Sequence, residues 1–241
     1  MIVPPARRNR SLIRRLFFGA MKIALALLVF SILWVVAYRF VPVPLTWPMA
    51  RDAIEGKHVD RHWVPLSEIA PAVPRAAIGA EDARFCAHNG FDFDAMEAAA
   101  ARNAKASANG GKTLRGGSTI SQQTAKNAFL WPGRSYVRKG LEAYFTVLIE
   151  AIWGKPRIME VYLNIAEMGP GVYGVDAAAR YYFHVPASQL TPQQASRIAA
   201  ILPQPIKRDA AAPGRYVQRY ANRIEKRARV VGNEGIDGCL R

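Results

Sequence analysis

Cysteine and histidine are both scarce in this chain of 241 residues: two Cys, at positions 86 and 239, and four His. So few cysteines exclude a disulfide-framework domain, and their pairing is left open by the sequence; Cys86 is expected to pack as a small apolar residue among helical positions. His58 and His62 stand four apart, but the glutamate of the zinc-protease motif and a third ligand are missing, so no metal is expected there. Acidic residues are also few, 18 Asp and Glu against 33 Lys and Arg, a net charge of +15. That excess excludes an acidic or disordered character and calls for an anionic partner: nucleic acid, an acidic membrane surface or a phosphate-bearing substrate. There is no internal repeat and no convincing run of strands.

Long apolar runs are absent after residue 40, but one lies before it. Leu16 to Tyr38 is apolar apart from Lys22, about the 20 residues a bilayer-spanning helix needs. It is longer than the apolar stretch of a signal peptide, and Tyr38, Arg39 and Pro42 follow in place of a small-residue cleavage site. A retained transmembrane helix over 16–38 is therefore expected, after a basic tail over 1–15. Arg7, Arg8, Arg10, Arg14, Arg15 and Lys22 put the N-terminus in the cytoplasm by the positive-inside rule and the rest of the chain outside. A juxtamembrane linker is expected over 39–73, starting with a stiff, non-helical spacer at Val41-Pro42-Val43-Pro44 and Trp47-Pro48. A globular domain over 74–241 completes the chain.

That domain reads as mainly α. Pro74 to Ala87 has helical spacing with a stop at Gly90, which puts Glu81 and Asp82 on a helix. Phe91, Phe93 and Met96 to Ala101 suggest a second helix. Residues 103–117 have the Ala, Asn, Ser, Gly and Lys composition of a mobile loop. Gly111-Lys112-Thr113 is not a P-loop, because Ala106 occupies the place of its first glycine. Ser118 or Thr119 can cap a helix that follows, and 135–153 carries an apolar stripe through Tyr136, Leu141, Phe145, Leu148 and Ile152. Further helices are expected from Pro156, over 175–183, from a capping box at Thr191-Pro192-Gln193-Gln194, and through Val217, Tyr220, Ala221, Ile224 and Val231.

Four stretches in order resemble glycosyltransferase family 51, the peptidoglycan glycosyltransferases. They are Glu81-Asp82-x-x-Phe85-x-x-His88-x-Gly90, Gly117-Ser118-Thr119-Ile120-x-Gln122-Gln123-x-x-Lys126-Asn127, Arg138-Lys139-x-x-Glu142, and Lys155 through Glu160-x-Tyr162-Leu163-Asn164 to Tyr182-Phe183. Ser121, where the family often has threonine, and Gly140, inside the third stretch, depart from the pattern. No Ser-x-x-Lys is present, so a penicillin-binding transpeptidase domain is not expected.

The resemblance implies a lysozyme-like helical glycosyltransferase domain with one N-terminal transmembrane helix. It implies a polymerase that joins a growing strand on undecaprenyl pyrophosphate to the 4-hydroxyl of lipid II, with inversion, at the outer face of the inner membrane. Glu81 would be the base and Glu142 a second catalytic acid that orients cations or helps to hold a metal. Lys126 and Arg134, with Arg138 and Lys139 near by, would stabilise the pyrophosphate. Ser118, Gln122, Gln123 and Asn127 would bind sugar and phosphate oxygens, and Asp82, His88, Glu160, Tyr162 and Asn164 would support them. No cofactor is required on this reading, and a divalent cation, Mg2+ or Mn2+, is left open. The partners implied are lipid II, the growing strand and the membrane, with division or elongation proteins left open and nucleic acid disfavoured by the outward topology. Phe91, Phe93, Phe129, Leu130 and Trp131 fit either a surface dipping among lipid headgroups or the core. Rival readings are a hydrolase of finished glycan, which needs no pyrophosphate clamp, and a non-catalytic wall-binding protein.

Overall fold

The computed structural model describes residues 8–108, 116–133 and 135–241. They divide into two units at Val41/Pro42. The first is one helix, α1 (Arg8–Phe40), whose stretch Ile13–Phe40 is long and apolar enough to cross a membrane. Most of its described apolar side chains are exposed, as in a candidate membrane-spanning helix.

The stretch expected as a linker over 39–73 is more structured than that: α1 takes in Arg39 and Phe40, and the second unit starts at Pro42. Trp47–Ile54 forms a helix, α2, because Pro48 falls in its first turn, where its missing N–H costs nothing. Met49 and Asp52 of α2 are buried, and the Tyr173 hydroxyl donates to Asp52 Oδ2 at 2.6 Å. Asp60–Arg61 (β1) then enters a small three-stranded sheet. The main body continues through α3 (Ala72–Glu81), α4 (Phe93–Ala108), α5 (Ile120–Phe129), α6 (Tyr136–Ile152) and α7 (Lys155–Ile165). Strands β2 (Glu167–Gly169) and β3 (Val172–Tyr173) follow, then α8 (Val175–Phe183), α9 (Pro192–Ile201) and α10 (Arg215–Asn233). β3 lies in the middle of the sheet, parallel to β1 and antiparallel to β2. Strands of two or three residues are too short to leave an alternating pattern in the sequence.

Two helix clusters make the core. α3, α9 and α10 pack on one another, burying Ile78, Ile198, Ile201 and Ile224. Gly79 allows this approach, since a Cβ there would lie 3.1 Å from Arg227 Cβ and 3.3 Å from the Ala228 nitrogen. In the other cluster α5 lies against α6 and α7, and the Phe129 and Phe145 rings stack with centroids 4.6 Å apart.

Several expectations are corrected. α3 stops at Glu81, not Ala87, because Asp82 takes an extended φ of −155° and turns its side chain to another helix. α4 continues to Ala108, well into the stretch read as a mobile loop; residues 109–115, with Gly111-Lys112-Thr113, lie outside the described residues. Cys86 does not pack as a free thiol but is bonded to Cys239, 153 residues on. The five aromatic and apolar candidates divide: Phe129 and Leu130 are core, whereas Phe93 is 71% and Trp131 43% exposed. The capping box at Thr191 is present as expected.

Candidate active site

The end of α3 and the start of α5 meet through one buried carboxylate. Asp82 Oδ2 accepts the backbone N–H of Ile120 at 3.0 Å, an anion at the N-terminus of α5. The ring Nε2 of His88 donates to the same carboxylate at 2.9 Å, and Gly90 N–H donates to Nδ1, so the neutral ring links Asp82 to the turn at Gly90. Gly90 has φ +91°, and a Cβ there would come within 2.7 Å of Thr146 Cγ2. Asp82 and His88 thus tie the end of α3 to the start of α5 and to the turn at Gly90.

Glu81, next to Asp82, lines the adjoining cleft but is itself largely buried. Its Oε2 accepts from Gln123 Nε2 at 2.9 Å. Burial pushes its carboxyl above the ordinary carboxylate range and neighbouring Asp82 adds to this, while Gln123, Lys126 and Arg208 pull it back. A carboxyl raised in this way is a stronger base than an ordinary carboxylate.

Two hollows meet at this pair. Glu81 lines a cleft of about 430 Å³ with Asp82, Arg84, Asp92, Arg102 and Ser118. Gln123 lines a second, of about 440 Å³, with Lys126, Asn127, Trp131, Arg138, Tyr162 and Glu167. Gln123 and Lys126 are three apart on α5, so one helix face presents both to this cavity.

Glu142 sets the charge of the second hollow. It is buried, it accepts from Arg138 Nη1 at 3.2 Å, and it bonds to Lys139 Nζ. Arg138 is nearly as buried as Glu142, so this is not the surface i,i+4 pair that spacing alone would suggest. Lys126 is desolvated, which pushes its ammonium below the usual lysine range; Glu142 opposes this and Arg138 and Lys139 reinforce it. Lys126 and Arg138 face the cavity, whereas Lys139 reaches Glu142 from a half-exposed position.

The remaining candidates are placed unevenly. Ser118 lies in the Glu81 cleft and Asn127 in the cation cavity. Gln122 reaches neither: it is buried and completes a capping box, its Oε1 accepting from Thr119 N–H at 3.0 Å while Thr119 Oγ1 accepts from Gln122 N–H. Arg134 lies outside the described residues. Asn164 and Glu160 bind the backbone of Val64 and Leu66 and serve the fold, but Tyr162 lines the cation cavity. An added Cβ at Gly140 would meet nothing, and nothing in the structure explains the glycine. Sequence reasoning missed Glu167, a lining residue of the cavity, because this Glu inside the fourth stretch is not one of the residues that carry the resemblance. Among the described residues no group of three His, Cys, Asp or Glu side chains could hold a metal, and His62 instead faces Asp60 and Asp176 at 3.5 Å.

A helical domain that sets a largely buried glutamate in one cleft, bonded to a glutamine that lines a second cavity with Lys126 and Arg138, has the form of a glycosyl-transferring enzyme. Residues 49–233 match the family model described as transglycosylase. The chain is 51% identical over 231 residues to the biosynthetic peptidoglycan transglycosylase of Caulobacter vibrioides, covering 96% of this chain and 97% of that one. It is 52% identical over 225 residues to the protein of that name from Bdellovibrio bacteriovorus, covering 91% and 88%. With the one from Rhodospirillum centenum it shares 46% over 230 residues, 95% and 96% of the two chains. The chain belongs to the transglycosylase family, among the biosynthetic peptidoglycan transglycosylases.

Proposed function

We propose that the chain polymerises glycan strands from lipid II. The acceptor's 4-hydroxyl loses its proton to Glu81 as its oxygen attacks C1 of a growing strand carried on undecaprenyl pyrophosphate. The new O–C1 bond forms opposite the breaking bond from C1 to the phosphate oxygen, so the configuration inverts to a β-1,4 link. The electron pair of the broken bond leaves on undecaprenyl pyrophosphate, where Lys126 and Arg138 meet the charge. Glu142 holds Arg138 and Lys139 in place, so that the cations are set before the charge develops.

The observation that carries this reading is the position of Gln123, bonded to Glu81 on one side and lining the Lys126 and Arg138 cavity on the other. Acceptor in the Glu81 cleft and donor pyrophosphate in the cation cavity would then meet at one side chain. Hydrolysis of neutral, finished glycan would have no use for the cations. Glu142 is a poor site for a protein-held divalent ion, since Arg138 and Lys139 already occupy its carboxylate.

The arginine-rich N-terminal end supports a cytoplasmic N-terminus, with α1 crossing the inner membrane and the second unit in the periplasm. The Cys86–Cys239 bond supports the same topology, because such bonds persist in oxidising compartments.

Incubating the detergent-solubilised protein with labelled lipid II tests the reaction. Polymer from the native chain and a loss of about a hundredfold or more with Glu81→Gln is the expected result. Soluble fragments from mature glycan, with no polymer from lipid II, would overturn it.

A further inference from the structure

One short stretch at the far end of the chain holds α3 on both sides of Glu81. In the first turn of α3 the Nε of Arg75 donates to Asp237 Oδ2 at 2.8 Å, and Asp237 is buried. The turn that follows α3 contains Cys86, bonded to Cys239. Glu81 lies between the two anchor points, six residues after Arg75 and five before Cys86. Residues 237 and 239 therefore bracket it.

The turn that carries Cys86 is itself tightly built. Phe85 N–H donates to the Asp82 carbonyl at 3.1 Å, and Ala87 N–H to that of Arg84 at 2.7 Å. The Phe85 ring is buried, with Lys155 Nζ of α7 4.5 Å from its centre, and it meets the His88 ring edge-on. Cys86 thus stands between a side chain packed toward α7 and the histidine bonded to Asp82. On the other side of the bond, the closing 3-10 turn Gly238–Leu240 rests against α7, so Cys239 is fixed as well. Packed groups transmit strain, so a shift at Cys86 passes to the Asp82–His88 pair and to the carboxyl beside it.

The bond stands apart from the residues that carry the family resemblance. Cys86 occupies an open position of the first stretch, and Cys239 lies after residue 233, where the family match ends. Both cysteines are half-buried, so a dithiol can reach them. Exchange with a dithiol breaks the S–S bond and leaves two cysteine thiols, two electrons and two protons passing to the protein as the dithiol becomes a disulfide.

We propose that the Cys86–Cys239 bond positions Glu81 for proton removal, with Cys86 as the positioning residue, and that its reduction by a dithiol slows polymerisation while the second unit stays folded. With the bond open, only the Arg75–Asp237 pair holds the bracket, the turn loosens and water reaches Glu81 more freely. The groups whose charges couple to Glu81 are its neighbour Asp82, Lys126 on α5, Tyr162 on α7, Arg208 after α9 and Tyr220 on α10. None of them is on the turn opened by reduction except Asp82, so the change expected at Glu81 is a loss of burial, the largest influence raising its carboxyl. The inference rests on the polymerase reading of Glu81.

Steady-state polymerisation of labelled lipid II by the detergent-solubilised full-length chain tests it. The oxidised and dithiothreitol-reduced native protein are compared with Cys239→Ser and the double variant Cys86→Ser/Cys239→Ser, at a temperature where melting curves show each form folded. Reduction and both variants should lower kcat about tenfold with KM within about threefold of native, and should move the acid limb of kcat/KM to lower pH as Glu81 loses burial. The double variant should be no slower than the single one and indifferent to dithiothreitol, since both lack the same bond. An unchanged kcat in the reduced, folded chain overturns the assignment. So does a lower kcat with an unmoved acid limb, or a chain that folds at no temperature without the bond, either of which assigns the bond to the fold alone. If the oxidised native chain makes no polymer at all, the polymerase reading itself has failed, an outcome distinct from a normal native enzyme indifferent to reduction.

Discussion

Gln123 Nε2 lies 2.9 Å from Glu81 Oε2, so the last residue of α3 and the first full turn of α5 share a hydrogen bond between the two hollows of the site. That bond favours the carboxylate over the acid, against the burial that works the other way. Removing it with Gln123→Ala should raise the pKa of Glu81, and the acid limb of kcat/KM should move to higher pH. A limb that stays put, or moves down, would separate Glu81 from the titration that governs activity.

The same burial makes a stability prediction. Glu81 has a folded pKa raised above its unfolded value, so its contribution to stability is present below the ordinary carboxylate pKa and is lost as pH rises through the raised one. Glu81→Gln does not titrate. Its melting temperature relative to the native chain should therefore climb as pH is raised from about 4 toward 8, while polymerisation is lost. Parallel melting curves across that range would contradict the burial of a charged Glu81.

Glu142 is buried against Arg138 and Lys139, and removing it leaves cations facing one another without their counter-ion. Glu142→Ala should cost about 3 kcal/mol in denaturant unfolding. It should also weaken turnover more than Glu142→Gln, which keeps one acceptor oxygen. A stability change within 0.5 kcal/mol, as is usual at the surface, would place the pair outside the core.

Cys86, five residues beyond Glu81, is joined to Cys239 in the last turn of the chain. Closing so long a segment removes much of the freedom of the unfolded chain, so reduction, or Cys239→Ser, should destabilise the second unit by about 2 to 5 kcal/mol. Thermal unfolding with and without dithiothreitol measures it; equal curves would show that the bond constrains little.

Most of the helix order, the capping box at Thr191 and the apolar N-terminal helix were legible in the sequence because each rests on residues close together in the chain. Thr191 with Gln194 follows the three-residue spacing of a capping box, and Ile13–Phe40 needs only a continuous apolar run. The motif residues Glu81, Lys126, Arg138 and Glu142 were legible through their likeness to a family, not through spacing. What misled the reading was also local: the alanine-rich pattern after Glu81 suggested more helix than forms, and Gln122 looked like a ligand residue when the cap had claimed it.

By itself, the sequence determined which residues could bear charge and where helices start, since propensity, capping and hydropathy act over a few residues. The tertiary structure alone decided that Glu81 would be partly desolvated and Asp82 bound to a helix end, and that Glu142 would sit buried among cations. It also decided that two cysteines 153 residues apart would meet. The reason is physical: desolvation and charge interactions depend on distance through space, and α3, α5, α6 and β2 approach one another only when the apolar faces of the helices are buried together.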